Sequence, residues 1–342
     1  MGQHKNINKK YYSKGELTFK TFAGDKRLAI AMAEDFIERA NRVVWDDEIT
    51  IVEFGSGRGE FARLFLDWVE KLNSEIYNRV EYYLIDFSER LLTQSVRVLH
   101  NHKSKIHTIQ SDVTEEYPEL PPINYARFNE FWDDLPAKIF TLKDNELYEV
   151  QTRKRFNTTG DHLYEACKGF LEENPFGYHL IVNDYAIEHM INTLKNLTEY
   201  GYMDGFDYGF RGMFDITLPP DTFNSGLRRI SDHITYDVNF DLMLTVAKVV
   251  GAKGYVETQD DYVQTHFNER LYAVELSEGL RYLTKEEMNT RFKEELLRMG
   301  YSVEFLSGRF VEGNDYYHIR LWVDQTPLTQ KQAKIKLVNS LL

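Results

Sequence analysis

The stretch Ile51 to Phe61, "IVEFGSGRGEF", sets a carboxylate, Glu53, two residues before Gly55, Gly57 and Gly59. Glycines at alternate positions let a backbone pass close beneath a bound ligand. A helix starting just after them offers free N–H groups to an anion. A phosphate-binding P-loop needs Lys and then Ser or Thr after its last glycine, and Glu60 and Phe61 stand there instead. A dinucleotide fingerprint spaces its glycines G-x-G-x-x-G and has an apolar residue at the place of Glu53; the spacing here is G-x-G-x-G. Two more acids recur downstream, Asp86, 27 positions after Gly59, and Asp112. A third group, "NEFWDD" (Asn129 to Asp134), offers an amide and three carboxylates for proton transfer or for holding a cation.

These residues need a sheet to bring them together. Thr50 to Phe54 is short and apolar, like a buried parallel strand. Phe61, Leu64, Phe65, Trp68, Val69 and Leu72 then repeat at helical spacing. Val80 to Phe87 reads as the second strand, followed by a helix capped by Ser88 with Leu92, Val96 and Leu99 inward. Lys105 to Asp112, Ile123 to Glu130 and Gly177 to Tyr185 read as strands three, four and five. Between the last two, Glu146 to Phe156 alternates like a small β excursion and Asp161 to Leu171 is helical. Strands alternating with helices predict an α/β fold with a mostly parallel sheet. A helix over Leu28 to Ala40 leads in. Ala186 to Ser231, rich in Gly, Tyr, Phe and Asp, with a turn at "LPPD" (Leu218 to Asp221), reads as an insertion over the strand ends. Val238 to Val250 and Thr284 to Met299 are helical, and Lys253 to Gln259, Tyr301 to Phe310 and Tyr316 to Asp324 are strand-like. The periodicity alone leaves strand six open between Lys253–Gln259 and Tyr301–Phe310. The expected units are residues 1–45 as a lead-in or lid, 46–185 as the core, 186–231 as the insertion and 232–342 completing the core.

Composition narrows the class. A 42% hydrophobic and 14% aromatic chain of 342 residues can bury a real core. A formal net charge of −13 repels phosphate backbones, so no nucleic-acid partner is expected. No apolar run reaches membrane-spanning length, and a cytoplasmic protein is the default. The single cysteine, Cys167, excludes an internal disulfide and zinc sites built on cysteine pairs. His100 and His102, two apart, share no helix face, and no metal site is expected.

The order acid-x-G-x-G-x-G resembles the first loop of class I S-adenosylmethionine-dependent methyltransferases. That cofactor has no pyrophosphate. Its ammonium can be held by Glu53, often through water, and its carboxylate can meet the helix N-terminus with help from Arg58. Asp86 suits the ribose hydroxyls and Asp112 the adenine amino group. Gly55, Ser56, Gly57, Arg58, Gly59, Phe87, Val113 and Asn129 complete the predicted cofactor site.

"NEFWDDLPAKIF" (Asn129 to Phe140) resembles the signature N-E-F-F-D-A-L-P of the MidA-like methyltransferases, relatives of a mitochondrial complex I assembly factor that dimethylates arginine. "VEFGSGRGEF", "LIDFSERLLTQS", "NDYA" (Asn183 to Ala186), "DHITYDVNF" (Asp232 to Phe240) and "ETQDDYV" are similar to other family pieces, in family order. So are "YYS" (Tyr11 to Ser13) and "AGD" (Ala23 to Asp25). The chain departs from the family at Ala186, where glycine is usual, and in the residue after "AGD". The resemblance implies a Rossmann-like, mostly parallel seven-stranded sheet with helices on both faces, and favours Lys253 to Gln259 as strand six. It also implies methylation of an arginine nitrogen in a protein or peptide. Glu130 and Asp133 are the expected substrate clamps, with Asp184 and Tyr185 shaping the pocket, and His233 is a candidate for lining the channel. A small-amine methyltransferase and a non-catalytic S-adenosylmethionine-binding assembly factor are the alternatives, with a nicotinamide-dependent reductase a distant fourth.

Overall fold

The computed structural model describes residues 26–45, 47–143, 146–149, 179–211, 227–230, 233–267, 272–276, 279–283 and 316–323. Helix α1 (Lys26–Ala40) leads into β1 (Ile49–Phe54), whose residues are all buried. Gly59 begins α2 (Glu60–Leu72), and α3 (Ser74–Arg79) is capped by the Asn73 side chain. Strand β2 (Val80–Asp86) follows, then α4 (Glu89–Val98), where the Ser88 hydroxyl accepts from the Leu91 N–H at 3.3 Å. Next come β3 (Ile106–Gln110) and β4 (Ile123–Asn129). Strand β5 (Lys138–Lys143) pairs antiparallel with β6 (Glu146–Glu149) and with β7 (His179–Val182) in a separate three-stranded sheet. Helix α5 (Asp184–Lys195) and the long β8 (Leu197–Phe210) come next. β9 (Leu227–Ile230) and β10 (His233–Tyr236) pair with each other, and β11 (Val238–Asn239) joins the end of β8. Helix α6 (Phe240–Val249), β12 (Ala252–Thr258), α7 (Gln259–Phe267), the pair β13 (Tyr272–Leu276) and β14 (Gly279–Leu283), and β15 (Tyr316–Val323) complete the described chain.

The main sheet runs β3-β2-β1-β4-β8-β15-β12, with β11 on the side of β8. β3, β2, β1, β4 and β8 are parallel, while β15 runs antiparallel between β8 and β12. The strand order reverses between β1 and β4, which opens a crevice beyond their carboxyl ends. Side chains of β1 alternate between faces. Ile49 and Ile51 join a core with Leu28, Met32 and Phe36 of α1 and Phe65 of α2. Val52 and Phe54 join one with Met190 of α5 and Met243 of α6. Helices thus cover both faces of the sheet.

Strand six is β12, as the family resemblance favours. Four expectations are corrected. Gly177 to Tyr185 is not the fifth strand of the main sheet: its described part, β7, pairs with β5, and the place beside β4 belongs to β8. The described parts of the expected insertion, residues 186–211 and 227–230, are therefore α5, the central strand β8 and the short strand β9. Glycine and aspartate hid β8. Gly205 lies under the ring of Phe128, which fills the space a Cβ would need, and Asp204 and Asp207 are buried with partners. Third, Val96 is exposed on α4, where Leu91, Leu92 and Ser95 are the buried residues. The helix expected from Val238 starts at Phe240, because Val238 and Asn239 pair with β8. Asp161 to Leu171, "LPPD", Thr284 to Met299, Tyr301 to Phe310, Cys167, Tyr11 to Ser13 and Ala23 to Asp25 lie outside the described residues.

Candidate active site

The loop after β1 depends on its glycines. Gly55, Gly57 and Gly59 have φ of 65°, 53° and 78°, a left-handed conformation that side chains disfavour. A Cβ on Gly55 would lie 2.8 Å from Cδ2 of Phe131. The loop therefore packs directly on the turn that follows β4. Gly55 N–H donates to the Ile85 carbonyl at 2.9 Å, which ties the loop to β2.

Asp86 braces the same loop. Its Oδ2 accepts from Gly57 N–H at 3.1 Å and its Oδ1 from Ser88 N–H at 2.9 Å. Burial pushes its pKa up to about 6 against those hydrogen bonds, with Glu53 adding to the rise. An ionised carboxylate has about four acceptor positions, so Asp86 keeps capacity for ligand hydroxyls. Asp112 lies two residues beyond β3, and its Oδ1 accepts from the Thr114 N–H and hydroxyl at 2.9 and 2.6 Å. Val113 packs on the core beside it. The Phe87 carbonyl accepts from Gln110 Nε2 at 3.1 Å, closing β2 onto β3.

Glu53 differs from the expectation of an open ligand for an ammonium. It faces the α1–α2 side and is buried. Its Oε1 pairs with Arg127, which sits opposite it on β4, and its Oε2 accepts from the Tyr82 hydroxyl at 2.9 Å. Arg127 in turn lies over the Phe61 ring at 3.4 Å. Burial raises the pKa of Glu53 and Arg127 opposes that rise. Strand alternation explains the geometry, since an inward position on β1 meets inward positions on β2 and β4. The acid two residues before the glycines is thus part of an interior triad behind the loop.

At the end of β4, Asn129 Nδ2 donates to Glu130 Oε1 at 3.2 Å and to the Tyr316 hydroxyl at 3.4 Å. Glu130 has φ of 49°, a strained conformation of the kind that gathers at functional sites. The chain then turns over one carboxylate. Asp207 Oδ2 accepts from the N–H groups of Phe131, Trp132 and Asp133 at 3.1, 2.7 and 3.3 Å, and its Oδ1 from Tyr208 N–H at 2.8 Å. Asp133 and Asp207 are both buried, and they are joined through the Asp133 N–H that Asp207 accepts. Burial raises both, Asp207 to about 7 and Asp133 well above the ordinary range.

Asp184 opens α5 and pairs with Lys138 of β5, which opposes the rise that burial causes. The structure does not set Asp184 at a main-sheet strand end; Asp207 on β8 occupies that position. Tyr185 is half-buried against the core around Trp132. The sequence reading also missed His189. Trp132 Nε1 donates to its Nδ1 at 3.0 Å, and Phe54 packs edge-on at 4.3 Å. Burial lowers its pKa to about 3. The neutral ring therefore carries its proton on Nε2. Asp207 could have been found only by recognising β8, and His189 had no sequence signal. The side chain of His233 lies outside the described residues.

Two buried polar atoms at this crevice have no partner among the described residues, Ser56 Oγ in the glycine loop and Asn129 Oδ1 at the end of β4. Buried polar groups are nearly always hydrogen-bonded, so these fit a polar ligand. The left-handed glycines leave room beneath it. A switch-point crevice with a phosphate-free G-x-G-x-G loop and acids after β2, β3 and β4 defines the class I S-adenosylmethionine-dependent methyltransferases. Residues 31–253 match the family described as "Putative S-adenosyl-L-methionine-dependent methyltransferase", and the chain belongs to that family. It is a MidA-like methyltransferase with S-adenosylmethionine as cofactor. Its fold is similar to that of a superfamily member from Burkholderia thailandensis crystallised with S-adenosyl-homocysteine. The identity is 14%, the TM-score 0.58, and the match covers 89% of this chain and 79% of that one. A second Burkholderia thailandensis structure, of an uncharacterized superfamily protein, matches at 15% identity and TM-score 0.56, over 87% and 80% of the two chains. No curated protein matches the chain by sequence. Among the described residues no helix is long and apolar enough to cross a membrane.

Proposed function

We propose that this enzyme methylates an arginine nitrogen in a protein or peptide substrate, in the cytoplasm. The observation that carries this reading is the packing of Phe131 on Gly55. It sets the acid-rich turn Glu130 to Asp134 directly against the cofactor loop. When bound, S-adenosylmethionine supplies a methyl on a sulfonium, which an acceptor nitrogen takes while the carbon–sulfur electron pair returns to sulfur.

This chain's residues do the positioning, which can supply much of the rate in such a displacement. Asp86 holds the ribose, and Phe87, Asp112 and Val113 hold the adenine. The start of α2, with Arg58, receives the cofactor carboxylate. Ser56 and Asn129 use their free oxygens, and Glu53 with Arg127 keeps the loop in place from behind. Glu130 and Asp133 clamp the planar cation through paired charge-assisted hydrogen bonds. The ion pair of Asp184 with Lys138 keeps that lysine's charge from repelling the cation, and Tyr185 closes the wall.

Incubating the protein with methyl-labelled cofactor and lysate from cells lacking it tests the reading. Label should appear in protein and hydrolyse to methylarginine. Label confined to small molecules points to a small-amine substrate. Tight binding of S-adenosyl-homocysteine with no transfer to any fraction leaves a binding module.

A further inference from the structure

One turn of α5 gathers the chain ends that leave β1, β3 and β4. His189 Nδ1 accepts the Trp132 indole N–H at 3.0 Å, in the acid-rich turn after β4. The same imidazole meets the ring of Phe131 at 5.1 Å and that of Phe54, the last residue of β1, at 4.3 Å, both edge-on. Phe131 fills the space a Cβ on Gly55 would need. The His189 carbonyl accepts from the Thr193 hydroxyl at 2.9 Å, and that hydroxyl accepts from Tyr117 at 3.2 Å. Tyr117 lies between β3 and β4, five residues after Asp112. Trp132 is held at both ends, since its main-chain N–H donates to Asp207 at 2.7 Å. Trp132 and His189 are both buried, so water cannot take over either bond. His189 Nε2 is also buried and has no hydrogen-bond partner among the described residues. Such an N–H costs stability, and a phenylalanine here would avoid that cost. Phenylalanine, however, offers the indole no acceptor, and asparagine offers an acceptor but no ring. Histidine supplies both. Burial lowers its pKa to about 3, so Nδ1 stays an acceptor at neutral pH.

We propose that His189 is a positioning residue for methyl transfer: through Trp132 it fixes the turn that carries Glu130 and Asp133, and through Phe131 it sets that turn against the cofactor loop. This rests on the methyltransfer reading above, and not on the choice of arginine as acceptor. The imidazole moves no proton, because Nδ1 is occupied by the indole and Nε2 already holds its hydrogen. Its contribution is geometric. An in-line displacement slows steeply when the acceptor is displaced by about an ångström, and groups that hold an acceptor need support from locked neighbours. His189 gives that support from a helix that the sequence pattern marks only as apolar on one face.

The test uses the full chain, methyl-labelled S-adenosylmethionine and lysate from cells lacking the protein, with label counted in every fraction. Rates are taken at saturating cofactor, per site that binds S-adenosyl-homocysteine in calorimetry, so unfolded molecules do not count. His189→Phe keeps a ring and removes the acceptor. It should bind S-adenosyl-homocysteine within about threefold of the parent and transfer label at least about tenfold more slowly. His189→Asn returns an acceptor and should transfer label faster than His189→Phe. Trp132→Phe removes the donor and should lose as much as His189→Phe, and the double variant should lose no more than either. The pH profile of His189→Asn should keep every inflection of the parent's, since the imidazole carries no proton in the reaction. An unchanged rate in His189→Phe, no recovery in His189→Asn, losses that multiply in the double variant, or a missing inflection overturns the proposal. Where His189→Phe does not fold, Trp132→Phe decides, and an unchanged rate there overturns it. A parent that transfers label to no fraction removes the methyltransfer reading and the proposal with it. A parent that transfers label while the variants match it removes the proposal alone.

Discussion

At the residue scale, the Asp86 carboxyl both braces the glycine loop and faces the ligand crevice. Its folded pKa of about 6 lies above the ordinary carboxylate value of about 4. Folding therefore draws a proton onto it. The stability it contributes is full below about pH 4 and is lost as pH rises through about 6. Ligand hydroxyls, however, donate best to the ionised form. Affinity for S-adenosyl-homocysteine should thus rise as pH passes 6, and Asp86→Asn should bind more weakly with that slope gone. Calorimetry from pH 5 to 8 would show it, and an unchanged slope in the variant would assign the titration elsewhere. Arg127 offers a second prediction. Replacing it with Met strands the buried Glu53 carboxylate, and unfolding in urea should show a loss of about 3–5 kcal/mol. Adding Glu53→Gln should recover part of that loss.

At the element scale, the strands with short, mostly apolar runs could be read from the sequence, and the one in which glycines and several acids interrupt the apolar positions could not. β1, β2, β4 and the glycine turn were legible because a parallel strand buried on both faces is mostly apolar and because glycine suits the left-handed turns best. The strand β8, "LTEYGYMDGFDYGF", reads as polar. Its acids are matched only by residues far away in sequence. Asp204 receives both oxygens' hydrogen bonds from Arg320 on β15, with Nε and Nη2 each at 2.6 Å, and one from His318 at 3.0 Å. Arg320 also pairs with Asp35 of α1, which accepts from Tyr262 of α7 at 3.2 Å. No local pattern encodes such a network. It joins the helical lead-in to the last sheet strand, and its ions hold Asp204 far below the usual aspartate range against its burial. A lowered folded pKa gives stability that is present above about pH 4 and lost as pH falls. Asp204→Asn should lose about 3–5 kcal/mol at neutral pH, since it leaves the Arg320 charge undercompensated. The variant should also lose less than the parent on acidification. Denaturant midpoints at about pH 2.5 and at pH 7 would decide it. Parallel losses in the two proteins would count against the network's role.

At the scale of the whole molecule, charge connects fold to substrate. The chain carries −13 overall, and the acids Glu130, Asp133, Asp134 and Asp207 stand where β4 and β8 end. The one lysine at the start of β5 that has a described ion pair is spent on Asp184. A field of one sign over a concave site concentrates opposite charge and speeds encounter. If the substrate is the proposed protein arginine, that arginine should sit among basic or neutral neighbours, and acidic flanks should be selected against. In a peptide series around one arginine, replacing flanking Glu with Lys should lower KM while leaving kcat nearly constant, because distant charges steer binding and do not touch the reacting atoms. Raising the salt from about 0.05 to 0.5 M shortens the screening length to a few ångströms, and it should erase most of that difference. If the basic and acidic peptides keep the same KM ratio at both salt concentrations, selection comes from direct contacts, and the acidic field has no part in choosing the substrate.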